Sequence, residues 1–170
     1  MGQLSPLNFH NWIEENRHLL KPPVGNAVVY NDSEFMIMVV GGPNSRTDYH
    51  IDPAEEFFYQ IEGDMCLKVV AEGEFKDIII KEGEIFLLPP WMPHSPQRFE
   101  NTVGLVIERK RRASETDGLR WYCHECGNIL YEETFSLQDI TKDLVPVMDR
   151  YHANDENQKC DKCGHVSPKK

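Results

Sequence analysis

The stretch GGPNSRTDYHIDPAEEFFYQIEG, residues 41–63, decides the fold when it is set beside EGEIFLLPPWMPHSPQR, residues 82–98. In the first, Gly42, five residues, Asp48 and His50 lead to Glu56 and end on Gly63 at a turn. In the second, Gly83 opens a short apolar run that reaches Pro89 and a proline-rich turn, which delivers His94. Both histidines therefore sit where strands meet turns. Glu55, next to Glu56, faces the opposite way on a strand and reads as a solvated neighbour.

Working outward, the chain from Ala27 to Arg109 is a series of short runs rich in branched and aromatic residues: AVVY, EFMIMVV, EFFYQIEG, DMCLKVV, FKDIII, EIFLLP and VGLVIE. Turn residues divide them at 41–44 (GGPN), 62–64 (EGD), 71–74 (AEGE) and 81–84 (KEGE). Close, regular spacing without helical connections predicts an all-β sandwich or barrel and excludes a parallel α/β sheet. Ahead of it, Asn8 can cap a helix over 8–20 in which Phe9, Trp12, Ile13 and Leu20 recur at helical spacing, and Pro22 and Pro23 stop it. After Arg109 the polar segment RKRRASETDG reads as a linker or extended arm, its basic run as a solvated face. A catalytic domain over 1–110 and a linker with a metal module over 111–170 are the expected division.

Composition narrows the classes. The 170 residues carry 28 acidic against 18 basic side chains, a net charge of −10. Such a field repels phosphate backbones and anionic lipid, so neither nucleic acid nor membrane is an expected partner. No run approaches the ~20 apolar residues needed to span a bilayer, nor does the start resemble a leader, so a cytoplasmic protein is expected.

Two kinds of metal chemistry are legible. His50, Glu56 and His94 supply two imidazoles and one carboxylate, the facial set of a non-heme ferrous site, which leaves positions open for substrate and oxygen. Cys123-His124-Glu125-Cys126-Gly127 and Cys160-Asp161-Lys162-Cys163-Gly164 are two CxxCG knuckles; four thiolates suit one tetrahedral ion, zinc or iron. A closed site of that kind has no position for substrate, so its expected role is structural, with His124 and His165 as bystanders. Cys66, in the alternating stretch DMCLKVV, reads as a buried small hydrophobe. His10, His18 and His152 read as solvated or core-satisfied.

The two motifs resemble those of the cupins, jelly-roll β-barrels, with two departures: Asp48 stands where many cupins have a first histidine, and Trp91 where the second motif usually has glycine. A three-ligand site is implied. More narrowly, LLKPPVGN, VVGGPNSRTDYH, EEFFYQ, FLLPPWMPHSPQR, VIER and the paired CxxC motifs make residues 7–165 similar to the 3-hydroxyanthranilate 3,4-dioxygenase family. The resemblance includes the rubredoxin-like module of bacterial and fungal members, which leans toward iron at the four cysteines.

The resemblance implies a ferrous enzyme that opens the ring of 3-hydroxyanthranilate with both atoms of dioxygen. The product is 2-amino-3-carboxymuconate semialdehyde, which closes to quinolinate on the way to NAD, and a homodimer is implied. Carried over by residue, His50, Glu56 and His94 hold the iron. Arg46, Arg98 and Glu108 are the catalytic residues: Arg46 faces oxygen, Arg98 and Glu56 contact the substrate, and Glu108 either bonds the substrate directly or holds Arg98 in place. A planar guanidinium at Arg98 suits the substrate carboxylate, and Arg46 suits charge building on oxygen. Asp48 takes either a turn-forming or a proton-transfer role. Two other readings stay open: a different ferrous cupin dioxygenase for a small carboxylated substrate, and a non-catalytic cupin joined to a zinc ribbon as a sensor.

Overall fold

The computed structural model describes residues 4–22, 25–30, 33–139 and 142–168. Asn8 caps helix α1 (Phe9–Asn16), its side chain accepting from Asn11 N–H at 3.0 Å, and a 3₁₀ turn (Arg17–Leu19) continues it. The expected helix is borne out; of the two prolines said to stop it, Pro23 lies outside the described residues.

Eleven strands form two antiparallel sheets among the described residues. They are β1 (Asn26–Val28), β2 (Phe35–Gly41), β3 (Tyr49–Ile51), β4 (Glu56–Glu62), β5 (Met65–Ala71), β6 (Glu74–Ile80), β7 (Ile85–Leu88), β8 (His94–Arg98), β9 (Val103–Arg109), β10 (Asp117–Tyr122) and β11 (Ile129–Phe135). One sheet runs β1-β2-β9-β4-β7, the other β11-β10-β3-β8-β5-β6. The two close face to face over Met38, Phe58, Met65, Leu67, Val69, Ile80, Leu88 and Val106, drawn from both sheets. The result is the expected jelly-roll barrel. Outside the five-stranded sheet, Ile13 of α1 and Leu20 pack on Ala27, Val39 and Val103.

Period-two alternation sets which side chains enter the barrel. On β4, Glu56, Phe58 and Gln60 are buried and oppose Glu108, Val106 and Gly104 of β9. Glu55 is exposed, as expected. His10 and His18 are exposed and Cys66 is buried, also as expected.

The last third of the chain is more structured than its composition suggested. β10 pairs with β3, extending the sheet that carries His50, and β11 pairs with β10. Helix α2 (Leu144–Ala153) then packs Leu144, Val147 and Tyr151 against Leu119, Trp121 and Leu137, with the Trp121 and Tyr151 rings stacked at 4.3 Å. Pro146 is tolerated because it falls in the first helical turn, where its missing N–H has no partner to lose. No helix among the described residues is long and apolar enough to cross a membrane.

Candidate active site

β3 and β8 meet at a single registered pair, His50 opposite His94. Their rings lie 5.3 Å apart, and Glu56 enters from the facing sheet, so that one ligand atom from each residue falls within 4.8 Å of the others. All three are buried. His94 Nδ1 is 3.0 Å from Met92 O, which makes Nδ1 the donor and leaves Nε2 facing Glu56. His50 Nε2 is 2.7 Å from Asp117 Oδ2, leaving Nδ1 for a ligand. Imidazoles anchored through their second nitrogen are the usual arrangement around a metal.

The residues fit a metal ion. His94 Nε2 and Glu56 Oε2 stand 2.9 Å apart, yet Glu56 Oε2 has no hydrogen-bond partner. Atoms ~2.1 Å from one ion at adjacent octahedral positions are about 3 Å apart, so the spacing is that of two ligands aimed at one point. Burial alone would push the His94 imidazole down, but the Glu56 carboxylate beside it raises it. Burial likewise opposes ionisation of Glu56, and His94 followed by His50 holds it below the usual carboxylate range. Two imidazoles and a carboxylate so held suit a divalent first-row ion.

Around them lies a layer of buried charge. Arg98 is buried, with Nη1 3.2 Å from Gln60 Oε1 and Nε without a partner, and burial brings its guanidinium down to about 10 against the pull of Glu56. Gly104 makes room for it: a Cβ there would fall 2.4 Å from Arg98 Nη1 and 2.6 Å from Gln60 Oε1. Arg46 forms an ion pair with Asp48, and its backbone is clipped to Gln97, whose Nε2 donates to Arg46 O at 3.0 Å. Asp48 is thus a buried counter-ion rather than an open turn residue. A cleft of about 470 Å³ reaches Arg46 and Asp48 from solvent, between the 43–48 loop and Met148 and His152 of α2. Glu108 is buried opposite Glu56, with Oε2 3.0 Å from Arg111 Nη1 and Oε1 without a partner. Burial, then the Glu56 charge, raises its carboxyl, although Asp52 and Arg111 oppose the shift.

One expectation is corrected here. The basic run 109–112 is not simply a solvated face: the Arg111 side chain is 2% exposed and lies among carboxylates, because residues 109–115 fold back on Arg109–Glu115 contacts of 2.6 Å. Asp52, Asp117 and Gln60 were also not singled out as site residues. Gln60 could have been, since it shares strand parity with Glu56; nothing local marks Asp117.

Trp91 explains why glycine is usual at its position. Its φ is +64°, the left-handed region glycine enters freely, and a bond from its N–H to Asp52 O at 2.7 Å holds the turn.

The four cysteines converge as two knuckles. Cys123 Sγ is 3.6 Å from Cys163 Sγ, and Cys126 Sγ is 3.6 Å from Cys160 Sγ, with all four thiols free. A disulfide would need about 2.05 Å, whereas sulfurs ~2.3 Å from one tetrahedral ion lie roughly 3.8 Å apart. Gly127 (φ +68°) and Gly164 (φ +76°) close the knuckles, donating to Cys123 O and Cys160 O. Burial opposes ionisation of Cys160, but N–H groups of Cys163 and Lys162 and the neighbouring thiols bring it down to about 7. This is a second, closed metal set.

The model of the 3-hydroxyanthranilic acid dioxygenases matches residues 1–152. The chain belongs to that family. Relatives named 3-hydroxyanthranilate 3,4-dioxygenase include a Jannaschia sp. protein, 56% identical over 100% of this chain and 95% of its own length. One from Xanthomonas euvesicatoria is 55% identical over 97% and 93%, and one from Ruegeria pomeroyi 51% over 100% and 95%. Among solved structures, a cupin-2 domain protein from Shewanella frigidimarina aligns at TM-score 0.48 and 16% identity, covering 62% of this chain and 94% of that one. A barrel of two antiparallel sheets and, partly beyond the matched residues, a four-cysteine cluster are both present in the fold described above.

Proposed function

We propose that the chain is a ferrous 3-hydroxyanthranilate 3,4-dioxygenase, with His50, Glu56 and His94 as the iron ligands. The observation that carries this reading is the convergence of those three buried groups beside a buried arginine with an unfilled donor, in a chain of this family. Ferrous iron in such a set supplies open positions for the substrate's hydroxyl and amino groups and for oxygen, and lets electron density pass from ring to oxygen.

The chain's own groups do the rest. Arg98 binds the substrate carboxylate, held by Gln60 in the space Gly104 leaves. Glu108 Oε1, the oxygen that Arg111 does not engage, takes the phenol proton and so makes the ring electron-rich. Arg46 stabilises negative charge developing on oxygen. Glu56 borders the substrate as well as holding the metal. Met92 O and Asp117 keep the two imidazoles aimed, and the apolar layer of Phe58 and Val106 keeps water away. Both oxygen atoms end in the product, 2-amino-3-carboxymuconate semialdehyde, the precursor of quinolinate.

Within this reading, residues 1–110 carry the groups that touch metal or substrate. Residues 111–170 carry the thiolate ion, iron in preference to zinc, as a structural pin. A cytoplasmic homodimer is part of the proposal: reduced metal-binding thiols suit that compartment, and Phe35, Ile85 and Leu87, exposed on the five-stranded sheet, suit self-association. The test is anaerobic loading with ferrous iron, addition of 3-hydroxyanthranilate and air, and measurement of semialdehyde absorbance against oxygen consumed. One product per oxygen is expected; fully loaded protein without product overturns the assignment.

A further inference from the structure

Arg111 ties together groups that belong to different parts of the site. Its Nη1 is 3.0 Å from Glu108 Oε2 on β9. Its Nη2 is 2.9 Å from Asp52 Oδ2 in the β3–β4 connection and 2.6 Å from Asp117 Oδ2 on β10. Nε adds a bond of 2.8 Å to Asp117 Oδ1, making the Asp117 contact two-pronged. Asp117 Oδ2 is in turn 2.7 Å from His50 Nε2. The two-pronged bond to Asp117 together with the bond to Glu108 requires a planar fork of donors, with Asp52 sharing the cation as an ion-pair contact without a hydrogen bond; an ammonium at the same place is a single point charge and cannot bond both carboxylates along fixed directions.

Removing this cation would leave the buried Asp52, Glu108 and Asp117 without their shared counter-ion. Buried like charges repel strongly, and the side chains able to move would turn away. The first consequence would be at Asp117, which aims the His50 ring, and the second at Glu108, whose second oxygen would no longer be committed.

We infer that Arg111 is a positioning residue for the reaction: through Asp117 it fixes the orientation of the metal ligand His50, and directly it holds Glu108 through one carboxylate oxygen, Oε2. The inference rests on the proposed activity for the role of Glu108, and on geometry alone for His50.

The experiment titrates manganese(II) into full-length protein whose cysteine site is loaded with zinc, counting the free aqua ion by electron paramagnetic resonance. Manganese favours the imidazole and carboxylate set over thiolates. Arg111→Lys, Arg111→Gln and Asp117→Asn are compared with the parent, together with kcat and KM for 3-hydroxyanthranilate after ferrous loading. Loss of a group that orients a metal ligand typically weakens binding about 10- to 100-fold. That loss is expected in Arg111→Gln and in Asp117→Asn, with partial recovery in Arg111→Lys. For the Arg111 variants kcat should also fall, with KM little changed.

Folded Arg111 variants whose manganese affinity and kcat stay at the parental values overturn the inference. Should Arg111→Gln not fold, Asp117→Asn decides it, since that variant keeps the cation: parental manganese affinity there removes the link to His50. A parent that binds manganese but makes no product would sink the proposed activity while leaving the His50 arm decided by the metal titration.

Discussion

Glu56 and Glu108 stand directly opposite one another on neighbouring strands, both turned into the barrel and both buried. Like charges opposed across a ladder are destabilising. Arg111 answers Glu108, whereas Glu56 Oε2 is left without a hydrogen bond. A metal ion supplies the missing countercharge. With the cysteine site already filled, manganese at ~100 times its dissociation constant should add about 2.7 kcal/mol, raising Tm by roughly 5–10 °C. Calorimetry checks this, and Glu56→Gln should abolish the rise.

Arg98 is expected to control carboxylate recognition. Arg98→Ala should lower kcat/KM for 3-hydroxyanthranilate by about 100-fold, or ~2.7 kcal/mol. On 2-aminophenol, which lacks the carboxylate, parent and variant should perform alike. Equal losses on both compounds would assign Arg98 to the fold instead.

Gly104 should act through Arg98. A methyl group there meets Arg98 Nη1 at 2.4 Å and Gln60 Oε1 at 2.6 Å, so one of the two polar groups must move. Gly104→Ala should cost about 1–3 kcal/mol of stability, as overpacking does, and raise KM more than it lowers kcat. Steady-state kinetics beside thermal melting separates the two effects.

Cys126→Ser should weaken the thiolate site without touching the chemistry. The segment it pins carries few apolar residues beyond the Trp121 and α2 cluster, so lower Tm, lower solubility and faster proteolysis after residue 122 are expected. Turnover per metal bound at His50, Glu56 and His94 should persist. Loss of turnover with that metal in place would give the cysteine site a part in the reaction.

Much of this molecule was legible because its signals are local. The strands β2, β4, β5, β6, β7 and β9 each announce themselves as a run of branched residues between turns, and CxxCG spacing identifies a metal knuckle within five residues. The strands that carry the histidines were harder: β3 has three residues, and β8 contains Pro96. The motifs mark the two histidines, but neither segment reads as a strand. β10, β11 and α2 were missed because charged residues break the alternation in DGLRWY and ILYEETF, and Pro146 sits inside LVPVMDRYHA. Arg111 and Asp117 were beyond reach for another reason. Their significance lies in partners brought near by β10 pairing with β3, and a charged run looks the same whether it faces water or three carboxylates.

The partner that aims His50 lies 67 residues further along the chain. The orientation of His50 is therefore a property of the long-range pairing of β10 with β3, and the strand that leads into the first cysteine knuckle is also the one that aims a ligand inside the barrel.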